Sequence, residues 1–192
     1  MKLIAITGSI GCGKTTLANI IRELGYVVYD VDVWVKNIYR NKNFLCELEK
    51  LFPESVVDGV ANKRYLRNIV FNDKNKLKDL EFIIYPFLVN KIKKMINNNS
   101  KSNHKVFLDA ALLFEKGWDK YCDFVILADV DYEIQKKRVM KRDNVTADDF
   151  DKINNVQLKN EDKKLLSDVV INTDKKINKL KVELIKIIEN LE

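Results

Sequence analysis

Histidine is nearly missing from this 192-residue chain, whose single one, His104, lies in the polar stretch NNNSKSNHK. That leaves little for an imidazole-based triad or a His-ligated metal, and directs the search for a general base to the carboxylates. Cysteine is scarce as well: Cys12, Cys46 and Cys122 are odd in number and form no C-x-x-C pair. Neither a disulfide framework nor a zinc site is implied, and reduced thiols fit a cytoplasmic protein. Long apolar runs are absent, since AALLF and FVILA fall far short of a membrane span. The N-terminal MKLIAITGSIG is too short in apolar residues for a secretory signal, and it passes directly into a glycine-rich loop. No run of five like charges and no internal repeat occurs, and the net charge of +6 comes from lysines interleaved with acids. This pattern reads as a solvated surface suited to polyanionic small molecules, not as a nucleic-acid face or a membrane-binding one. With 46% hydrophobic and 32% charged residues, the composition is that of one globular α/β domain spanning 1–192.

The chain has only six glycines, and three of them, Gly8, Gly11 and Gly13, fall in GSIGCGKT. The spacing is G-x-x-x-x-G-K-[ST], set between the strand-like LIAI and the amphipathic TLANIIREL, the context a phosphate-binding P-loop requires. Such a loop brings bare N–H groups against phosphate oxygens while the following helix aims its positive dipole end at the same point. The expected nucleotide-binding residues are Gly8, Ser9, Ile10, Gly11, Cys12, Gly13, Lys14, Thr15 and Thr16. Lys14 adds a full charge at the β and γ phosphates of ATP, and the Thr15 hydroxyl is placed to coordinate Mg²⁺. The alternative is an ordinary glycine-rich strand-to-helix turn. Cys12, just before the helix, is expected to be the most alkylation-sensitive thiol if its side chain is accessible.

Strand-like runs occur at 2–7, 26–30, 105–109, 124–129 and 168–172, separated by helical patterning. Their continuous apolar character predicts a parallel five-stranded sheet covered by helices on both faces, the P-loop NTPase arrangement. The stretch 32–98 is too long for one crossover and is expected to be a helical substrate-binding insertion. The polar stretch 143–161, with Thr146 as an N-cap, reads as a mobile lid. The final segment places Ile177, Leu180, Leu184, Ile187, Ile188 and Leu191 along one face of an amphipathic helix.

In parallel sheets, ligands bind at the carboxyl ends of the strands, which gives weight to Asp30, Asp32 and Asp109. A carboxylate beside the P-loop suits deprotonation of an attacking hydroxyl, although Asp30 and Asp32 can equally be turn or capping residues. Asp109, after VFL, resembles the metal-side acid of other P-loop proteins, which acts on Mg²⁺ directly or through water. Arg138 and Arg142 lie four apart at the edge of the lid, where guanidinium forks can close over phosphates; the alternative is a solvated helix face. On residues alone, another small P-loop kinase acting on a nucleoside monophosphate or a metabolite alcohol stays open. The absence of an N-K-x-D motif weakens a GTP-driven switch.

GSIGCGKTT, YDVDVW, YLRNIVFNDKNKLKDLE, DAALLFE, QKKRVMKRDNVT and VQLKNEDKKLLSDVVINTD occur in the order and approximate spacing of the dephospho-CoA kinase family. The chain resembles that family over nearly its whole length. The resemblance implies transfer of the ATP γ-phosphate to the ribose 3′-hydroxyl of 3′-dephospho-CoA by a cytoplasmic monomer. It also implies Asp32 as the catalytic base, Lys14 and Thr15 as ATP and Mg²⁺ ligands, and Arg142 as the lid arginine. Ser9 and Cys12 stand where the family usually has Gly and Ser, Lys63 where it has Arg, Tyr85 where it has His, and Ala111 where it has Pro.

Overall fold

The computed structural model describes residues 1–100 and 104–191, apart from the side chain of Phe71. The chain divides into two compact units, Met1–Asp30 with Ser102–Glu192, and Val31–Lys101.

The first unit contains β1 (Lys2–Thr7), α1 (Lys14–Glu23) and β2 (Val27–Asp30). The second contains α2 (Val31–Ile38), α3 (Lys42–Leu51), β3 (Val56–Val57), β4 (Val60–Ala61), α4 (Lys63–Asn72) and α5 (Lys74–Asn99). The chain then returns to the first unit with β5 (Lys105–Asp109), β6 (Phe124–Asp129), α6 (Tyr132–Asp143), α7 (Ala147–Asn154), α8 (Asn160–Leu166), β7 (Val169–Asn172) and α9 (Ile177–Glu189).

A five-stranded, all-parallel sheet in the order β2-β5-β1-β6-β7 forms the first unit's centre. The sequence predicts all five strands to within a residue, because strands buried on both faces are continuously apolar. Ile4, Ile6, Phe107, Ile126 and Ile171 from the strands pack with Leu17 and Ile21 of α1 and Leu180, Leu184 and Ile188 of α9. Ile177 departs from its expected place, being 61% exposed at the first turn of α9. Two carboxylates fix where strands begin: Asp123 Oδ2 accepts from the Leu3 N–H at 2.7 Å, and Asp168 Oδ2 from the Val125 N–H at 2.7 Å. The register sets Asp30 beside Asp109 and Asp129 beside Asn172, so the carboxyl ends of the strands gather the polar residues.

The second unit is helical except for the β3-β4 hairpin, which the expectation of a helical stretch passed over. Asp58 (φ 51°) and Gly59 (φ 74°) form its two-residue turn, the left-handed pair that an Asp-Gly sequence favours. Phe44 lies edge-to-face with Tyr39 and Phe87, at centroid distances of 5.2 and 5.7 Å.

Candidate active site

The loop between β1 and α1 is built by close packing as much as by its own turns. A Cβ at Gly11, whose φ is 80°, would sit 2.6 Å from Val139 Cγ2 and 2.9 Å from the Gln135 carbonyl oxygen of α6. A Cβ at Gly13, whose φ is 85°, would sit 2.8 Å from Thr173 Oγ1. Gly13 is also the N-cap of α1 and offers no side-chain acceptor. The first-turn N–H groups of Lys14 and Thr15 therefore face the loop with the helix dipole behind them, which suits an anion.

Lys14 Nζ is paired with Asp109 Oδ1, with the carboxylate side chain only 3% exposed. The residue expected on the metal is thus the lysine's ion-pair partner in this structure, while the Thr15 side chain is exposed at the start of α1. Among the described residues no group of three or more His, Cys, Asp or Glu can hold a metal ion. Thr15 and Asp109 offer a hydroxyl and a carboxylate oxygen, donors of the kind Mg²⁺ takes when it completes its shell with phosphate and water. Asp32 stands in the first turn of α2 with its side chain exposed.

Of the two expected arginines, Arg138 reaches the loop through an intermediary. Its guanidinium donates to Thr173 Oγ1 at 3.0 Å and to the Thr173 carbonyl at 3.3 Å, and Thr173 Oγ1 donates to the Cys12 carbonyl at 2.7 Å. Arg142 instead forks onto its neighbour Asp143 at 2.8 and 2.7 Å. That bidentate contact raises the guanidinium's pKa and lowers that of the Asp143 carboxyl.

Much of 143–161 is held against α6 and the loop. Thr146 and Asp149 close a reciprocal capping box on α7, as the Thr146 signal leads one to expect. Phe150 is fully buried with its ring 5.6 Å from that of Tyr132, and Asp151 binds both the Tyr132 hydroxyl and Lys136 Nζ. Farther along, Gln157 Oε1 accepts from the Ile10 N–H at 2.9 Å and Asn160 Oδ1 from the Ser9 hydroxyl at 2.6 Å. From α6, the Gln135 amide donates to the Ile10 carbonyl at 2.6 Å. Gln157 and Gln135 lie in stretches that carry the family resemblance, but nothing in the sequence pointed to Ile10 as their partner; only the folded register assigns it. A further buried pair joins Lys163 to Glu115 at 3.0 Å, and the same ammonium donates to the Ala111 carbonyl at 3.3 Å.

The expectation for Cys12 is corrected: it is the condition of access that fails. Cys12 is 0% exposed, and burial pushes its thiol up, an effect only partly countered by the Asn160 amide. Burial disfavours the thiolate more than the helix end favours it.

A family model described as dephospho-CoA kinase matches residues 2–179. The chain belongs to that family. A dephospho-CoA kinase of Bartonella quintana is 38% identical, the match covering 100% of this chain and 98% of that protein. A solved Thermus thermophilus structure superposes with a TM-score of 0.84 at 32% identity, covering 100% of this chain and 98% of that one. The solved dephospho-CoA kinase of Campylobacter jejuni gives a TM-score of 0.75 at 28% identity, again with 100% and 98% covered. Membership in the dephospho-CoA kinase family accounts for the P-loop and the five-stranded sheet together.

Proposed function

We propose that this chain phosphorylates the ribose 3′-hydroxyl of 3′-dephospho-CoA with ATP, yielding coenzyme A and ADP, the final step of coenzyme A synthesis. The family match from residue 2 to 179 carries this reading, and the loop geometry supplies its chemistry. The bond from O3′ to phosphorus forms as the bond between phosphorus and the β,γ-bridging oxygen breaks, and ADP departs with that oxygen.

Lys14, drawn from Asp109, neutralises the β and γ phosphates, and the first-turn N–H groups of α1 hold the same oxygens. Thr15 and Asp109 would hold Mg²⁺, which when bound offsets charge on the β and γ phosphates. Asp32 accepts the proton of the 3′-hydroxyl. Arg142 exchanges Asp143 for the transferring phosphoryl group, while Arg138 steadies the loop through Thr173.

The three unpaired cysteines accord with a cytoplasmic setting, and among the described residues no helix is long and apolar enough to cross a membrane. A monomer acting on a small molecule, without nucleic acid, is the proposed form.

ADP release, measured with and without dephospho-CoA and against a panel of nucleoside monophosphates, tests the reading. Release that depends on dephospho-CoA is expected. Equal or faster release with another acceptor would overturn it.

A further inference from the structure

Three observations bear on Ile10, the residue at the apex of the phosphate loop. Its N–H is held by Gln157 Oε1 at 2.9 Å and its carbonyl by Gln135 Nε2 at 2.6 Å. Gln135 is 1% exposed, lies against Gly11, and extends its amide also to Asn154 Oδ1 at 3.3 Å, at the end of α7. A cavity of about 400 Å³ runs along Asp129, Gln135, Asn154, Gln157, Asn160 and Lys164, and the segment 154–160 that lines it reaches the loop through the Gln157 and Asn160 amides.

We propose that Gln135 and Gln157 are positioning residues that clamp the Ile10 peptide from both sides and so set the phosphate loop in its nucleotide-binding shape. The inference rests on the nucleotide-binding part of the proposed function. The two amides act with opposite polarity. Ile10 N–H needs an acceptor and Ile10 C=O needs a donor, and neither group can exchange roles. A half-buried peptide that loses one partner keeps part of its desolvation cost, so the loop shifts to find another arrangement. Because the clamp joins 154–160 to the loop, the coupling is reciprocal: nucleotide binding tightens the segment by the factor by which the docked segment tightens nucleotide binding.

The test uses the full chain. Amide exchange at Ile10 is measured by NMR without nucleotide, and binding of a non-hydrolysable Mg-ATP analogue is measured by calorimetry. Q157A is expected to speed Ile10 exchange and weaken analogue binding, each about fivefold or more, with the ATP KM changed more than kcat. Q157E keeps an oxygen acceptor, a carboxylate in place of the amide carbonyl, so its Ile10 exchange stays near wild type. Q135M keeps the volume but lacks the donor, and is expected to weaken analogue binding as Q157A does. Wild-type analogue affinity in both Q157A and Q135M, or wild-type Ile10 exchange in Q157A, would overturn the clamp. If the wild-type chain ignored dephospho-CoA, the proposed acceptor would fail while the exchange and analogue readouts still judged the clamp.

Discussion

Lys14 has a charge partner in the fold, Asp109, and in the proposed reaction a second, the nucleotide phosphates, and its removal tests both. Lys14→Ala takes the cation from Asp109, a carboxylate only 3% exposed, and from the phosphates as well. The expected outcome is a lower denaturation midpoint together with weaker ATP binding and kcat reduced by on the order of 10² or more. Asp32→Asn should leave ATP binding nearly intact and lower kcat by on the order of 10². Near-normal turnover of that variant would remove Asp32 from the base role. The cysteines give a pH prediction. Burial, aided by the Asp119 and Asp123 carboxylates, pushes the Cys122 thiol up to about 12. Between the ordinary thiol pKa of about 8.5 and that value, the unfolded chain holds fewer protons than the folded one, so stability falls as pH rises. Urea midpoints at pH 8 and pH 10 should therefore differ less in Cys122→Ala than in the native chain. In alkylation mapping, exposed Cys46 should react first and buried Cys12 slowly.

At the scale of elements, α7 depends on one buried ring and one cap. Phe150 is fully buried against Tyr132, and the Thr146–Asp149 box closes the helix start. Loss of the ring should release α7 locally before it unfolds the sheet, because Phe150 packs on α6 outside the main core. Phe150→Ala is thus expected to speed amide exchange across 147–160 by on the order of tenfold and to raise the ATP KM. Its effect on Tm should be smaller than that of Phe107→Ala, which removes a ring from the sheet's core. Thr146→Ala should give a weaker version, costing about 1 kcal/mol through the lost cap. Equal loss of Tm in the two Phe variants would show α7 to be part of the global cooperative unit.

For the molecule as a whole, the buried Lys163–Glu115 pair links α8 to the loop after β5. Lys163 is 0% exposed, and Glu115 Oε1 also accepts from the Leu158 N–H at 2.9 Å. Breaking such a pair on one side leaves an uncompensated buried charge, at about 3–5 kcal/mol. At about 2–4 °C per kcal/mol for a chain of this size, Lys163→Met should lower Tm by roughly 10 °C. Adding Glu115→Leu should recover part of the loss, since the stranded carboxylate goes too. Calorimetric melting of the single and double variants would decide it; a double variant no more stable than the single would disprove the charge argument.

Local physics explains what the linear sequence determined by itself. Gly8, Gly11, Gly13 and Lys14 announce a phosphate loop because the conformations and charge it needs are carried by adjacent residues. The five strands announce themselves through unbroken apolar runs, and α7 through Thr146, since burial on two faces and helix capping are also written within a few positions. Tertiary structure decided the rest, through contacts between residues far apart in the chain. Cys12 lost its expected reactivity because the fold buries it beneath Asn160, and Arg142 forks onto Asp143 while Arg138 reaches the loop only through Thr173. Gln135 and Gln157 carry no charge and fall within stretches that resemble the family without revealing a partner, yet the packing of α6 and the chain before α8 brings both amides to one peptide, Ile10. A neutral amide takes its meaning from the donor or acceptor opposite it, and that partner is chosen only when the chain has folded.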